Sequence, residues 1–146
     1  LKEAIMRRNI ARHSLVLASA LAGAAAAQPP APPAAAAPAA KATPLLSKPL
    51  EGVSGKEGTM VTVEYPPGVA SAPHRHNANT FVYVLEGSVV MQVAGGPEVT
   101  LTAGQTFYES PADVHTVSRN ASDVKPAKIL VFFVKDAGAP ATVPAR

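Results

Sequence analysis

The chain has 146 residues, room for one modest domain, and no cysteine, which excludes a disulfide framework and any thiolate metal site. Its formal charge of +3 sits in residues 1–27, where Lys2, Arg7, Arg8 and Arg12 meet only Glu3. The rest of the chain holds nine basic and nine acidic side chains, so no net positive surface is left to bind nucleic acid or an anionic membrane.

Residues 1–27 have the order of a secretory signal peptide: a positive segment from Met6 to Arg12, a short apolar run from Ser14 to Ala24, and small residues Ala25-Ala26-Ala27 before Gln28. The apolar run is too short to span a bilayer as a helix. Translation is expected to start at Met6, cleavage to fall near Ala27, and the mature protein to be periplasmic or secreted with no membrane contact. The Arg7-Arg8 pair hints at twin-arginine export, which suits a protein that folds around a metal before crossing. Residues 28–44 are nearly all Ala and Pro and read as an extended tether.

From residue 45 the pattern changes to short apolar runs split by turn residues. Strands are expected over Thr59–Tyr65, Thr80–Leu85, Ser88–Ala94, Glu98–Thr102, Gln105–Tyr108, Val114–Ser118 and Ala127–Lys135, the last being the most apolar and the deepest in the core. Gly95-Gly96-Pro97 marks a hairpin. Seven or eight short strands without a helical period predict a small all-β sandwich or barrel over residues 45–136. The tail, 137–146, reads as unstructured.

His74 and His76 stand two apart before an apolar run, and i and i+2 share a face in a strand. Two converging imidazoles begin a site for a first-row transition metal, and His115 is the one other histidine after residue 13. Two nearby histidines can also be a surface coincidence, so the surrounding pattern matters. Gly68, five residues, His74, one residue, His76 and then Gly87 resemble the first motif of the cupin superfamily. Gly104 to Asn120, with Pro111, His115 and Asn120, resembles the second more loosely: the Gly that usually follows the Pro is replaced, with Asp113 nearby, and the spacings differ by one. The resemblance spans about Leu45 to Lys135 and implies a cupin-like double-stranded β-helix, a jelly-roll barrel.

The resemblance implies a divalent metal held by the two histidines of the first motif, a Glu of that motif and the histidine of the second. His74, His76 and His115 match three positions; the Glu position falls on Thr80, a poor ligand. Two histidines from one strand and a third from a distant one would clip the barrel across its width. Three imidazoles leave the ion its full double charge, favour an anionic oxygen donor such as an enolate, catecholate or carboxylate, and leave positions open. The ion can be Fe, Mn, Ni, Cu or Zn. A Glu introduced at Thr80 is expected to tighten the site. Thr80, Gln92, Tyr83 and Glu109 are candidates for the substrate pocket, and Glu109 can also replace the absent Glu as ligand or act as a base. The functional expectation is an exported metal-dependent, dioxygenase-like oxidoreductase acting on a small oxygenated or aromatic compound. The alternative is a non-catalytic module binding a small molecule or a metal. A homodimer is expected, because a small barrel has sheet edges to manage.

Overall fold

The computed structural model describes residues 38–145. The expected signal peptide and most of the tether lie outside these residues. The described chain is all-β, with ten strands and no helix. They are β1 (Lys41–Pro49), β2 (Lys56–Tyr65), β3 (His74–His76), β4 (Ala78–Glu86), β5 (Ser88–Val93), β6 (Val99–Thr102), β7 (Thr106–Glu109), β8 (Val114–Asn120), β9 (Ala127–Asp136) and β10 (Thr142–Pro144). Two five-stranded sheets, ordered β1-β2-β9-β4-β7 and β10-β3-β8-β5-β6, pack face to face as a jelly roll. Every paired neighbour is antiparallel.

Burial alternates along the strands, although both faces of β4 and β9 carry apolar side chains. Along β4 the buried residues are Ala78, Thr80, Val82 and Val84, while Phe81, Tyr83 and Leu85 are exposed. Along β9 they are Ala127, Ile129, Val131, Phe133 and Lys135. The apolar ones among these meet Val89 and Met91 of β5 and Leu101 of β6 in one core. A slip of one residue would turn each set to the other face, so burial pins the register.

The turns between strands have specific chemistry. Gly87 closes the β4–β5 hairpin at φ 70°, and a Cβ there would lie 2.5 Å from the Pro126 carbonyl oxygen. No other residue satisfies both the left-handed backbone and that contact. In the turn before β8, Asp113 takes the place of the usual Gly sequence: its carboxylate accepts from Ser110 N at 2.6 Å and its own N–H donates to Ser110 O at 3.1 Å. Asn120 is buried, and its amide nitrogen donates to the carbonyls of Tyr65, Pro66 and Lys125. The burial leaves Asn120 no access for a glycan, although Asn120-Ala121-Ser122 has the acceptor pattern.

Two expected boundaries are corrected. The barrel begins at Lys41, not residue 45, because β1 pairs with β2 from Lys41↔Glu64 to Pro49↔Glu57. All nine residues of β1 are exposed, so no apolar alternation announces it. Pro44 and Pro49 are tolerated there because one side of an edge strand needs no donors. The tail read as unstructured supplies β10, which pairs with β3 through Thr142↔His76, Val143↔Arg75 and Pro144↔His74. Three residues between prolines carry no period that a sequence could display.

Candidate metal centre

β3 is three residues long, and its alternation points His74 and His76 to one side. β8 runs antiparallel beside it with His115 directly opposite His74. The three rings converge, with centroids 4.8 Å apart for His74–His76, 5.0 Å for His74–His115 and 6.4 Å for His76–His115. Each offers a nitrogen, and these nitrogens lie within 4.8 Å of one another. Three such ligands can hold a metal ion. The histidines belong to one sheet, since β3 and β8 are hydrogen-bonded neighbours. The expected clip across the barrel is therefore not made by the histidines.

The outer nitrogens of two rings are held. His74 Nδ1 lies 2.8 Å from Ala72 O. His76 Nδ1 lies 3.3 Å from Ala141 O and 3.1 Å from Thr142 Oγ1. A carbonyl only accepts, so in the neutral rings Nδ1 carries the proton and Nε2 carries the lone pair. The two Nε2 atoms then face each other at 3.2 Å. Ligands about 2.0–2.1 Å from one ion at angles of about 90–110° lie roughly 3 Å apart, so this spacing suits a shared ion. Burial pushes the His76 pKa down, opposed by the nearby Glu109 carboxylate, and favours the neutral ring. Phe133 and Phe107 flank the cluster, at 5.1 Å from His76 and 6.1 Å from His115 between ring centroids.

Glu109, at the end of β7 in the opposite sheet, reaches two of the three rings. Its Oε2 is 3.2 Å from His115 Nδ1 and 3.8 Å from His76 Nε2. Glu109 Oε2 and both nitrogens of His115 are buried without a hydrogen-bond partner. A buried carboxylate and an imidazole left unsatisfied are costly, and a cation between them removes the cost. Thr80 is fully buried on the inner face of β4, paired with Glu109 across β4 and β7.

The histidines line a cavity of about 370 Å³. Its walls are mainly Val61, Val63, Val82, Ile129, Val131 and Phe133, and Glu109 joins the lining. Three candidates for the pocket are corrected. Thr80 is buried but is not among the residues that line the cavity. Tyr83 is on the exposed alternate of β4, 44% accessible, in an outer aromatic patch with Phe81 and Tyr108. Gln92 is outside the cavity lining and braces a bulge. β5 pairs Gln92 with Val117 but Val93 with His115, so Thr116 is an extra residue in β8. Thr116 Oγ1 donates to Gln92 O at 3.2 Å and lies 3.1 Å from Gln92 Oε1, while Gln92 Nε2 donates to Gly96 O.

The bulge has a functional result. Residues 115 and 118 would face opposite ways in a regular strand; with Thr116 extruded, both His115 and Ser118 line the cavity. Ser118 Oγ is 2.7 Å from Tyr65 OH, to which Ser71 Oγ donates at 3.4 Å. Sequence reasoning missed Tyr65, Ser71 and Ser118, since the only local sign of the bulge is an ordinary Thr. It also missed Ala141 and Thr142, which hold His76.

Comparison with known proteins agrees with this architecture. A cupin-like protein from Thermotoga maritima MSB8 superposes with TM-score 0.58 at 18% identity, over 73% of this chain and 75% of that one. The DMSP lyase DddQ from Ruegeria pomeroyi DSS-3 gives TM-score 0.53 at 22% identity, over 60% of this chain and 43% of the lyase. A recombinant oxalate oxidase in complex with glycolate gives 0.51 at 23%, over 60% and 45%. The chain thus spans less than half the length of these lyase and oxidase structures, and at these identities the likeness is one of fold. No curated protein matches the chain. The family model described as the cupin domain matches residues 61–133, half of the sequence, and the chain belongs to the cupin family.

Proposed function

We propose that the protein is an exported metal-dependent cupin, a dioxygenase-like enzyme whose metal ligands include His74, His76 and His115, acting on a small oxygenated or aromatic compound. The observation that carries the metal reading is the pair of Nε2 atoms at 3.2 Å whose partner Nδ1 atoms are both engaged by carbonyl groups. Two facing lone pairs repel unless a cation lies between them. A bound Fe, Mn, Ni, Cu or Zn ion would supply Lewis acidity and open positions for a substrate oxygen.

The chain's own residues define the rest. The mainly apolar walls accept a ring-sized body, and the volume falls in the range of small-molecule sites. The Tyr65–Ser118 pair gives the cavity a second polar point, three residues along β8 from His115. A compound with an anionic oxygen at one end and a hydroxyl or carbonyl oxygen at the other fits these two points. The lyase and oxidase neighbours share only the fold, so this substrate class rests on the cavity.

Metal analysis of the purified protein, then oxygen uptake against catechols, flavonols and β-diketones, tests the proposal. Stoichiometric metal with uptake on one class supports it. Saturable binding of the same compounds without uptake by the metal-loaded protein refutes the enzyme and leaves a binding module. Export predicts an N-terminus at Gln28 in protein recovered from the periplasm or medium of an exporting bacterium; an uncleaved cytosolic chain refutes it. The proposed assembly is a homodimer, and a monomeric mass by light scattering refutes that.

A further inference from the structure

Thr80 and Glu109 are direct partners across β4 and β7, and both are buried. Directly opposed residues of an antiparallel pair keep their Cβ atoms about 4.5–5.5 Å apart on one face. A carboxylate moved from one position to the other therefore reaches the same space inside the barrel. The first-motif pattern places its carboxylate where this chain has Thr80, and this chain has its carboxylate one rung across. We infer that Glu109 is a fourth metal ligand, transposed from β4 to β7. The inference rests on the reading of the three histidines as ligands.

Three observations converge on it. Glu109 Oε2 stands 3.2 Å from His115 Nδ1 and 3.8 Å from His76 Nε2, separations that fit oxygen and nitrogen ligands about 2.0–2.2 Å from one ion. The oxygen is buried with no hydrogen bond, although it belongs to a carboxylate that is only 2% accessible. Neutral imidazoles do not offset the burial of an anion; a divalent cation does. Finally, the histidines all stand in one sheet and Glu109 stands in the other. With Glu109 as ligand, a bound ion joins the two sheets, which the histidines alone do not do.

The transposition changes the ligand class of the site. A carboxylate reduces the centre from a double to a single positive charge. Such a centre selects a monoanionic oxygen donor, an enolate or a monocarboxylate, over a dianionic catecholate. It also reverses the expectation for Thr80. Thr80→Glu alone sets two buried carboxylates against each other, and like charges at such a distance do not both ionise without cost.

The test uses metal-stripped full-length protein titrated with Zn²⁺ against a chromophoric chelator, with folding followed by circular dichroism and melting followed with and without Zn²⁺. Glu109→Gln is expected to weaken Zn²⁺ by more than the roughly 10–100-fold that loss of an outer-shell partner costs. It is also expected to lose most of the rise in Tm that Zn²⁺ gives the parent. Thr80→Glu alone lowers the melting temperature of the metal-free protein. The exchange Thr80→Glu/Glu109→Thr recovers Zn²⁺ affinity to within about tenfold of the parent. An infrared difference spectrum of the parent, Zn²⁺-loaded minus stripped, shows a shifted carboxylate band, and this measurement stands even where a variant does not fold. Unchanged Zn²⁺ affinity in Glu109→Gln, or a difference spectrum without a carboxylate shift, overturns the transposition and leaves the three-histidine site standing. Unchanged affinity in His115→Ala overturns the three-histidine site itself, and the inference with it.

Discussion

Asn120 carries a structural role that its place at the end of the second motif does not announce. Its amide nitrogen serves three carbonyls from the end of β2 and the loop before β9, and its oxygen accepts from Ser122 N at 2.9 Å. Pro66 O also accepts from Val69 N at 3.2 Å, while Tyr65 O and Lys125 O take the Asn120 amide as their side-chain donor. Asn120→Ala removes the side-chain donor from these carbonyls and the acceptor from Ser122 N, and is expected to cost about 2–4 kcal/mol by denaturant titration. Metal affinity should change little, since Asn120 holds the barrel end and not the imidazoles; a variant as stable as the parent would contradict this account. His74 and His76 are the opposite case. Their shared face was legible because period-two alternation is local. Tyr83 was misplaced as a pocket residue although the same alternation, counted from Val82 inward, turns it out.

At the scale of elements, the last strand orients β3. β10 is three residues long, yet Ala141 O accepts from both Asn77 N and His76 Nδ1, and Thr142 Oγ1 lies 3.1 Å from the same ring nitrogen. Those contacts fix which nitrogen of His76 faces the cavity. The loop that delivers them is tied by Lys135, whose buried ammonium donates to Ala139 O at 2.6 Å and is paired with Glu57. Truncation after Pro140 removes the ring's outer partners and leaves all four candidate ligands in place. Zn²⁺ affinity is expected to fall by about 10–100-fold, the usual loss for an outer-shell partner. Thr142→Val should lose less, because Ala141 O remains. Competition titration of the three proteins checks the order, and equal affinities would show that β10 is only an edge strand.

For the whole molecule, acid stability follows from the rungs that join β2 to β9. Glu57, Glu64 and Asp136 each face a lysine across that pairing: Lys135, Lys128 and Lys56. The hydrogen bond from its lysine holds each carboxyl below its usual range. A carboxylate with a depressed folded pKa binds fewer protons folded than unfolded, so stability rises with pH across the gap. The contribution is complete above the unfolded value, about 4 for these residue types, and is lost as pH falls through the lower folded values. The carboxylate part of the melting temperature should hold down to about pH 5 and fall below about pH 4, while the lowered His76 pKa adds an earlier decline that starts as pH falls below about 6.5. Added salt should blunt the part due to the exposed Lys56–Asp136 and Lys128–Glu64 pairs more than that due to Lys135–Glu57. Thermal melts of the metal-free protein across pH, at low and high salt, read this directly. A Tm that does not fall toward pH 3 would contradict it.

The amino-acid sequence by itself determined the all-β class, most of the strands and the three histidines, since each depends on alternation or motif spacing within a few residues. Only the tertiary structure decided the rest, because each remaining feature depends on non-local register. Glu109 is meaningful once β7 is laid against β4 with Thr80 on the same rung. Ser118 enters the cavity because β5 and β8 differ by one residue at Thr116. β1 and β10 exist because a neighbour offers unpaired backbone groups to strands whose own side chains are exposed or too few to show a pattern. Backbone pairing along an edge needs no apolar side chain, so it leaves no trace in composition or period.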